Sequence, residues 1–319
     1  MGSQETETSN LNLGQGTYRD EEGNPWVLPS VNKARESLLA QGLQHEYLPI
    51  LGFQSFREET AKIILGDLFK EQASTSLSHQ ITQDLISEPT WSNHHQIFQS
   101  LGFPCESFKY YNHDTKNLDV ESYYSTLRQA EPNSVEILHA CAHNPTGCDP
   151  SKEQWREIAD LMKARQLFPL FDPAYLGFNS GNFAEDAFPI RLFIGEMKME
   201  AGVCVSFAKN MGLYGERVGC VLVSANDKQV AVNTQSMLEM LERSEISNTP
   251  AFGARIASQL LENDELRHMW FQDMMTMSYR IRSMRVELYE KLVSFVTPFL
   301  QHFSVGCSCL QGPLGLGTI

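Results

Sequence analysis

Several short stretches of this sequence put polar groups where carbonyl chemistry would need them. Lys209 stands in Ser206-Phe207-Ala208-Lys209-Asn210-Met211-Gly212-Leu213-Tyr214, just behind the apolar run Val203, Cys204, Val205. By itself it reads as a surface lysine. Its place at the end of an apolar strand, eight residues before Arg217, gives it a second reading: an amine kept from water beside another cation loses basicity and condenses with carbonyls to a Schiff base. Asp172 in Phe171-Asp172-Pro173-Ala174-Tyr175 is either a cap or turn former, or a carboxylate that keeps a proton on a heteroaromatic nitrogen. Tyr175 is either core filling or a phenol that donates to an oxygen on the same ring. Asn144-Pro145-Thr146-Gly147 is a β-turn by composition, and His139, Ala142 and His143 in front of it make it more specific. Trp91, in Pro89-Thr90-Trp91, fills a core or stacks on a planar ring.

These residues need elements to hold them. Residues 135–140, 167–171, 203–207 and 218–223 are short apolar runs of strand length. Helical spacing appears over 31–41, 54–72, 91–102, 228–241, 250–261 and 266–293. Trp155, Ile158, Ala159 and Met162 form one apolar helix face, with Asp149 the expected N-cap and Pro150 in the first turn. Residues 106–111 read as extended, and 67–87 as polar and weakly periodic. Short strands alternating with helices predict an α/β fold, a mostly parallel sheet with helices on both faces. In such a sheet the carboxyl ends of the strands face the ligand crevice. His143-Asn144 follows the first of these runs, Asp172 with Tyr175 the second, and Ser206 and Lys209 the third.

Composition bounds the partners. The chain has 319 residues, 42% apolar and 20% charged, which is enough for a proper core. Acidic residues number 39 against 25 basic, a formal net charge of −14. That balance disfavours nucleic acid and anionic lipid as partners. The seven cysteines include no CxxC pair, which fits free thiols in a reducing compartment. The first residues, MGSQETETSN, have no apolar core of a secretory signal. Met1-Gly2 with Thr6 fits a loose myristoylation pattern, but Glu5 and Glu7 oppose an anionic membrane. The expected compartment is the cytoplasm. No metal site is expected.

Taken together, NLNLGQGTYRDEEGNPWVLPSV (10–31), HEYLPILGFQSFREE (45–59), EPTWSNHHQIFQSLGF (88–103), ILHACAHNPTGCDPSKEQW (137–155), LFPLFDPAYLGFNSGN (167–182) and SFAKNMGLYGERVGC (206–220) closely resemble the pyridoxal-phosphate-dependent aminotransferases of fold type I, and within them the eukaryotic aspartate aminotransferases. The resemblance runs from about residue 10 to about 295. It implies pyridoxal 5'-phosphate as cofactor and amino-group exchange between L-aspartate and 2-oxoglutarate. It also implies a homodimer and small amino and oxo dicarboxylic acids as ligands. Lys209 resembles the lysine that carries the cofactor as a Schiff base and moves the substrate proton, and Asp172 the partner of the ring nitrogen. Asn144 and Tyr175 resemble the donors to the ring oxygen, Trp91 the stacking residue, and His143 a residue supporting Asp172. Ser206 and Arg217 match phosphate ligands, the arginine as a bidentate donor, and Tyr47 a tyrosine reaching a phosphate across the dimer. Gly16, Trp91, Asn144 and Arg243 match substrate contacts, Arg243 being lent by the neighbouring subunit to a side-chain carboxylate. Without the resemblance Arg243 reads as a solvated helix-end charge.

The implied domains are a disordered tail (1–9), an N-terminal part of a small domain (10–25), a large cofactor domain (26–276) shortened near 68–86, and a linking helix with a truncated small domain (277–319). Two departures accompany the resemblance. Only nineteen residues separate Asp67 from Ser87, and none resembles the family's glycine-rich phosphate turn; Ser74, Thr75 and Ser76 come nearest without a glycine. The end, CSCLQGPLGLGTI, is unlike the family, and the last arginine is Arg285. Set against the resemblance, these residues are expected to lack the clamp on the substrate α-carboxylate. These gaps keep two other readings open: a homologue with impaired or lost catalysis, or a cofactor enzyme with another reaction on acidic amino acids, such as a racemase or lyase.

Overall fold

The computed structural model describes residues 16–70 and 83–300. The expected tail over 1–9, Ser74, Thr75 and Ser76, and the sequence after 300 lie outside the described residues. Helix α1 (Pro29–Ala40) has its proline in the first turn, where no N–H is needed. Helix α2 (Gln54–Leu65) stops at Gly66, which takes φ 60°, and a 3-10 turn covers Gly66–Lys70. The helix expected over 54–72 thus divides in two.

Strand β1 (Asp84–Glu88) follows, then α3 (Asn93–Ser100), β2 (Cys105–Lys109), the short strands β3 (Tyr111–Asn112) and β4 (Asn117–Leu118), and α4 (Val120–Gln129). Sequence periodicity missed β1 and α4. β1 carries Asp84, Ser87 and Glu88 among only two apolar residues, so its pattern looks like a loop. Next come β5 (Val135–Leu138), α5 (Lys152–Ala164), β6 (Phe168–Phe171), the single-turn helices α6 (Phe183–Asp186) and α7 (Phe188–Arg191), β7 (Ala201–Ser206) and β8 (Gly219–Ser224). Three helices close the described chain: α8 (Lys228–Glu245), α9 (Ala251–Glu262) and α10 (Asp264–Leu300).

The main sheet has the order β2-β1-β5-β6-β7-β8. Its pairings are parallel except the last, where β8 runs antiparallel to β7. All four residues of β5 are buried, as expected for a strand covered on both faces. The α5 face reads as predicted, with Trp155, Ile158, Ala159 and Met162 all buried. Ile158 and Met162 each contribute roughly 1.5–3 kcal/mol when they leave water.

The capping expectation at this helix is corrected. Ser151, not Asp149, is the N-cap: its hydroxyl accepts from Gln154 N–H, and the Gln154 side chain bonds back to the Ser151 N–H. Pro150 lies before the cap rather than in the first turn. Asp149 instead accepts from the backbone N–H groups of Ala142 (2.7 Å) and His143 (2.9 Å).

Helix α10 has 37 residues, about 55 Å of rod at 1.5 Å per residue. Its buried Trp270 donates from Nε1 to Asn210 O (2.8 Å), and Asp273 accepts from Ser30 N–H (3.0 Å). Ser278 donates to Asn179 O and Arg280 to Arg19 O.

Candidate active site

The strand order reverses at β1 and β5: from β1 the chain first steps outward to β2, then returns to β1's other side for β5 and continues through β6 and β7. A crevice forms at the carboxyl ends of strands at such a reversal. The segments leaving β1, β5, β6 and β7 carry Trp91, His139 to Asn144, Asp172 to Tyr175, and Lys209. Because β8 is antiparallel and pairs Gly219 with Ser206, Arg217 arrives at the same edge from the opposite direction.

Lys209 and Tyr175 meet here, with Lys209 Nζ 5.4 Å from the centre of the Tyr175 ring. The fully buried Asn210 donates from Nδ2 to Leu176 O (3.0 Å), which ties the two segments together one residue beyond each. Gly177 takes φ 75°, and Met274 of α10 packs where its side chain would be, so this turn requires glycine. Burial lowers the Lys209 pKa; Asp172 opposes that shift and Arg217 adds to it. A less basic amine is the state in which a lysine attacks a carbonyl. Arg217 itself holds a left-handed conformation (φ 53°, ψ 49°), unfavourable for a side chain of its size. Its Nη1 donates to Tyr214 O. Ser206 Oγ accepts from Ala208 N–H.

Asp172 is where expectation and structure part. His94, in the first turn of α3, stands with Nε2 3.0 Å from Asp172 Oδ2. His143 does not hold that place: its Nε2 lies 3.0 Å from Ser87 Oγ and its Nδ1 2.9 Å from Thr146 Oγ1, and its ring stacks on Tyr110 at 3.8 Å. His94 follows Trp91 by three residues, and its N–H donates to Trp91 O (2.9 Å) in the turn that leads into α3. That spacing was present in the sequence. Burial raises the Asp172 pKa, but the His94 hydrogen bond, the nearby His139 and His94 rings and the Lys209 cation together outweigh it, leaving the carboxyl below its ordinary value.

The histidine behind it has a defined polarity. Asn144 N–H donates to His139 Nδ1 (3.5 Å), so the hydrogen of this buried, neutral ring is on Nε2. That nitrogen faces Thr90 Oγ1 at 3.2 Å. The Thr90 hydroxyl, 2.9 Å from His94 Nδ1, is then free to donate there, which leaves His94 Nε2–H for Asp172. One donor direction thus runs from the Asn144 amide to the carboxylate. Thr90, His94 and His139 are site residues that the sequence reading did not assign.

Trp91 is 41% exposed and stands edge-on to His94, with ring centres 5.4 Å apart. Gly16 is exposed, two residues before Tyr18, whose N–H donates to Tyr214 Oη (2.9 Å). Tyr47 and Arg243 belong to a separate patch of surface: Asn248 Nδ2 donates to Leu48 O (2.8 Å), joining their two segments. Tyr47 is 87% exposed, and Arg243, in the last turn of α8, donates to Ser247 Oγ.

The family described as aminotransferase class I and II matches residues 8–310. A mitochondrial aspartate aminotransferase of Schizosaccharomyces pombe is 43% identical over 298 residues, 87% of this chain and 68% of that protein. Among solved structures, aspartate aminotransferase from the cytoplasm of Saccharomyces cerevisiae superposes with a TM-score of 0.87 at 39% identity, covering 92% of this chain and 78% of that one. An aromatic-amino-acid aminotransferase from Burkholderia pseudomallei, covalently bound to pyridoxal phosphate, gives 0.85 at 32% identity over 91% and 77%.

Proposed function

The chain belongs to the class I and II aminotransferases, and on that premise we propose that it uses pyridoxal 5'-phosphate to exchange an amino group between L-aspartate and 2-oxoglutarate, giving oxaloacetate and L-glutamate. The observation that carries the reading is the meeting of a lysine of lowered basicity with a carboxylate held low, at the ends of neighbouring strands β6 and β7. The groups around them fit the cofactor's own chemistry: an amine for its aldehyde, a carboxylate for its ring nitrogen, a phenol and an amide for its ring oxygen, a guanidinium and a hydroxyl for its phosphate. Bound there, the cofactor supplies an electrophilic aldehyde and a protonated ring that withdraws electrons from the reacting carbon.

The chain's own residues do the rest. Asp172, ionised and fixed by His94, would hold a proton on the cofactor's ring nitrogen. Lys209 Nζ would hold the cofactor through its aldehyde and would carry a proton between substrate Cα and the cofactor carbon two bonds away. Asn144 and Tyr175 would donate to the cofactor's ring oxygen, and Trp91 would stack on its ring. Ser206 and Arg217 would hold the phosphate, aided by Tyr47 of a second copy. Arg243 of that copy takes the substrate's side-chain carboxylate, and Gly16 lines the substrate's other side.

A homodimer is part of the proposal. Helix α8 buries none of its residues, and Val232, Met237, Met240 and Leu241 on it are about half exposed or more. Beside Tyr47 lies a cavity of about 400 Å³ bounded by residues 43–48 and Thr249 to Phe252 with Arg255. An apolar helix face of this kind is expected to be covered by a partner, and a second copy would bring Tyr47 and Arg243 to the site. We place the protein in the cytoplasm; the five described cysteines are free thiols, which suits a reducing compartment.

The test is an absorption spectrum with and without added cofactor, then with aspartate. The expected results are a visible band from lysine-bound cofactor, fixed to Lys209 by borohydride, and its loss on adding aspartate as oxaloacetate forms. No band, or a band that aspartate leaves unchanged, sinks the reading. Sedimentation of a monomer at micromolar concentration removes the dimer.

A further inference from the structure

Glu136 is an acid in the middle of β5 with 0% exposure, and the chemistry described so far leaves it unused. Tyr123 Oη donates to its Oε1 (3.1 Å), while Oε2 has no hydrogen-bond partner among the described residues. A small cavity lies beside it, with about 10 Å³ open to the centre of a water molecule, bounded by Ser87, Tyr123, Glu136, His139 and His143 among others. Every residue bounding it is buried. That is room for one water, and a water so placed needs at least two polar partners. We propose that Glu136 and Ser87 hold one water in this cavity and that, through it, Glu136 positions His143 with its hydrogen on Nδ1.

The direction of the chain follows from charge. Among the described residues no cation acts on Glu136, and burial pushes its carboxyl well above the ordinary range, with the Tyr123 hydrogen bond opposing only in part. The acid therefore keeps its proton. Since Oε1 already accepts from Tyr123, the proton belongs on Oε2 and points into the cavity. The water accepts it and donates to Ser87 Oγ. Ser87 then spends its own hydrogen on His143 Nε2, 3.0 Å away. The His143 hydrogen is left on Nδ1, facing Thr146 Oγ1 at 2.9 Å, an oxygen that also accepts from Cys148 N–H (3.2 Å). His143 is neutral, its pKa pushed down to about 3 by burial first and by His94 second. An ionised Glu136 would accept from Ser87 through the water and reverse the chain, placing the hydrogen on Nε2.

Glu136 is thus a positioning residue: it acts through Ser87 and His143 on the turn that carries Asn144. Its test needs no cofactor, so its failure is separate from failure of the transamination reading. The experiment is ¹⁵N spectroscopy of the histidine rings in the full-length protein, with a high-resolution crystal structure. The expected results are one ordered water within reach of Glu136 Oε2 and Ser87 Oγ, and a protonated Nδ1 with bare Nε2 on His143. Glu136→Gln should keep both, since its amide donates where the acid did. Glu136→Leu and Ser87→Ala should each lose the protonated Nδ1 signal, a change that loss of packing alone does not produce. A dry cavity, a protonated Nε2 in the unsubstituted protein, or an unchanged tautomer in Ser87→Ala overturns the proposal.

Discussion

His94 Nε2 lies 3.0 Å from Asp172 Oδ2, and this contact joins the first turn of α3 to the end of β6 across the intervening β5. It holds the carboxylate ionised and aimed. Replacing His94 by alanine should raise the Asp172 pKa toward its ordinary value and loosen cofactor binding. A hydrogen bond to a charged group contributes about 1.5–3 kcal/mol, so the dissociation constant from an absorption titration should rise roughly 10- to 100-fold. His143→Gln should change it far less, because His143 bonds Ser87 and Thr146 instead.

The basicity of Lys209 should respond to its neighbours with opposite signs. Arg217 lowers the lysine pKa and Asp172 raises it. Arg217→Gln should therefore move the pH profile of lysine labelling by a small aldehyde upward, and Asp172→Asn should move it downward. Profiles that shift in the same direction would contradict the arrangement.

Arg243 should govern substrate choice rather than the chemistry. With Arg243→Ala, kcat/KM for aspartate should fall about 10- to 100-fold, the loss of one charge-assisted contact of about 1.5–3 kcal/mol. Amino acids without a side-chain carboxylate should lose much less. Mixing this variant with Lys209→Ala protein should restore one intact site per heterodimer if the arginine is lent across the interface, and activity well above that of either parent should then appear.

Asp84 makes stability fall with pH. It is fully buried on β1, both its oxygens lack partners among the described residues, and burial raises its pKa to about 6. With the folded value above the unfolded one, the stabilisation is complete below about 3.8 and drains away as pH rises to about 6. The slope across that window approaches 1.4 kcal/mol per pH unit, one proton per molecule. Denaturation midpoints of Asp84→Asn, compared with the unsubstituted protein from pH 4 to 7, should lack this component.

The parallel sheet was legible because 135–138, 168–171 and 201–206 are short apolar runs, each ending in polar chemistry. Lys209, Asp172 and Tyr175 could be grouped from those endings alone. β1 was not legible, since Asp84, Ser87 and Glu88 break its apolar pattern, and its burial comes from the strands on either side. Asp149 misled for a related reason: its position before a helix suits a cap, but two backbone N–H groups of the 142–143 turn compete for it and win. The support of Asp172 was assigned to His143 on the resemblance alone. Spatial order across the sheet puts the α3 histidine there instead.

Helix α10 binds the backbone at Arg19, Ser30, Asn179 and Asn210, segments separated from it by between 60 and 261 positions along the chain. A single rigid rod therefore serves as the keel on which the loops flanking the lysine and the aspartate are mounted. Displacement of its middle turns would carry all four attachments together, so the pocket's shape and this rod's straightness are one mechanical variable.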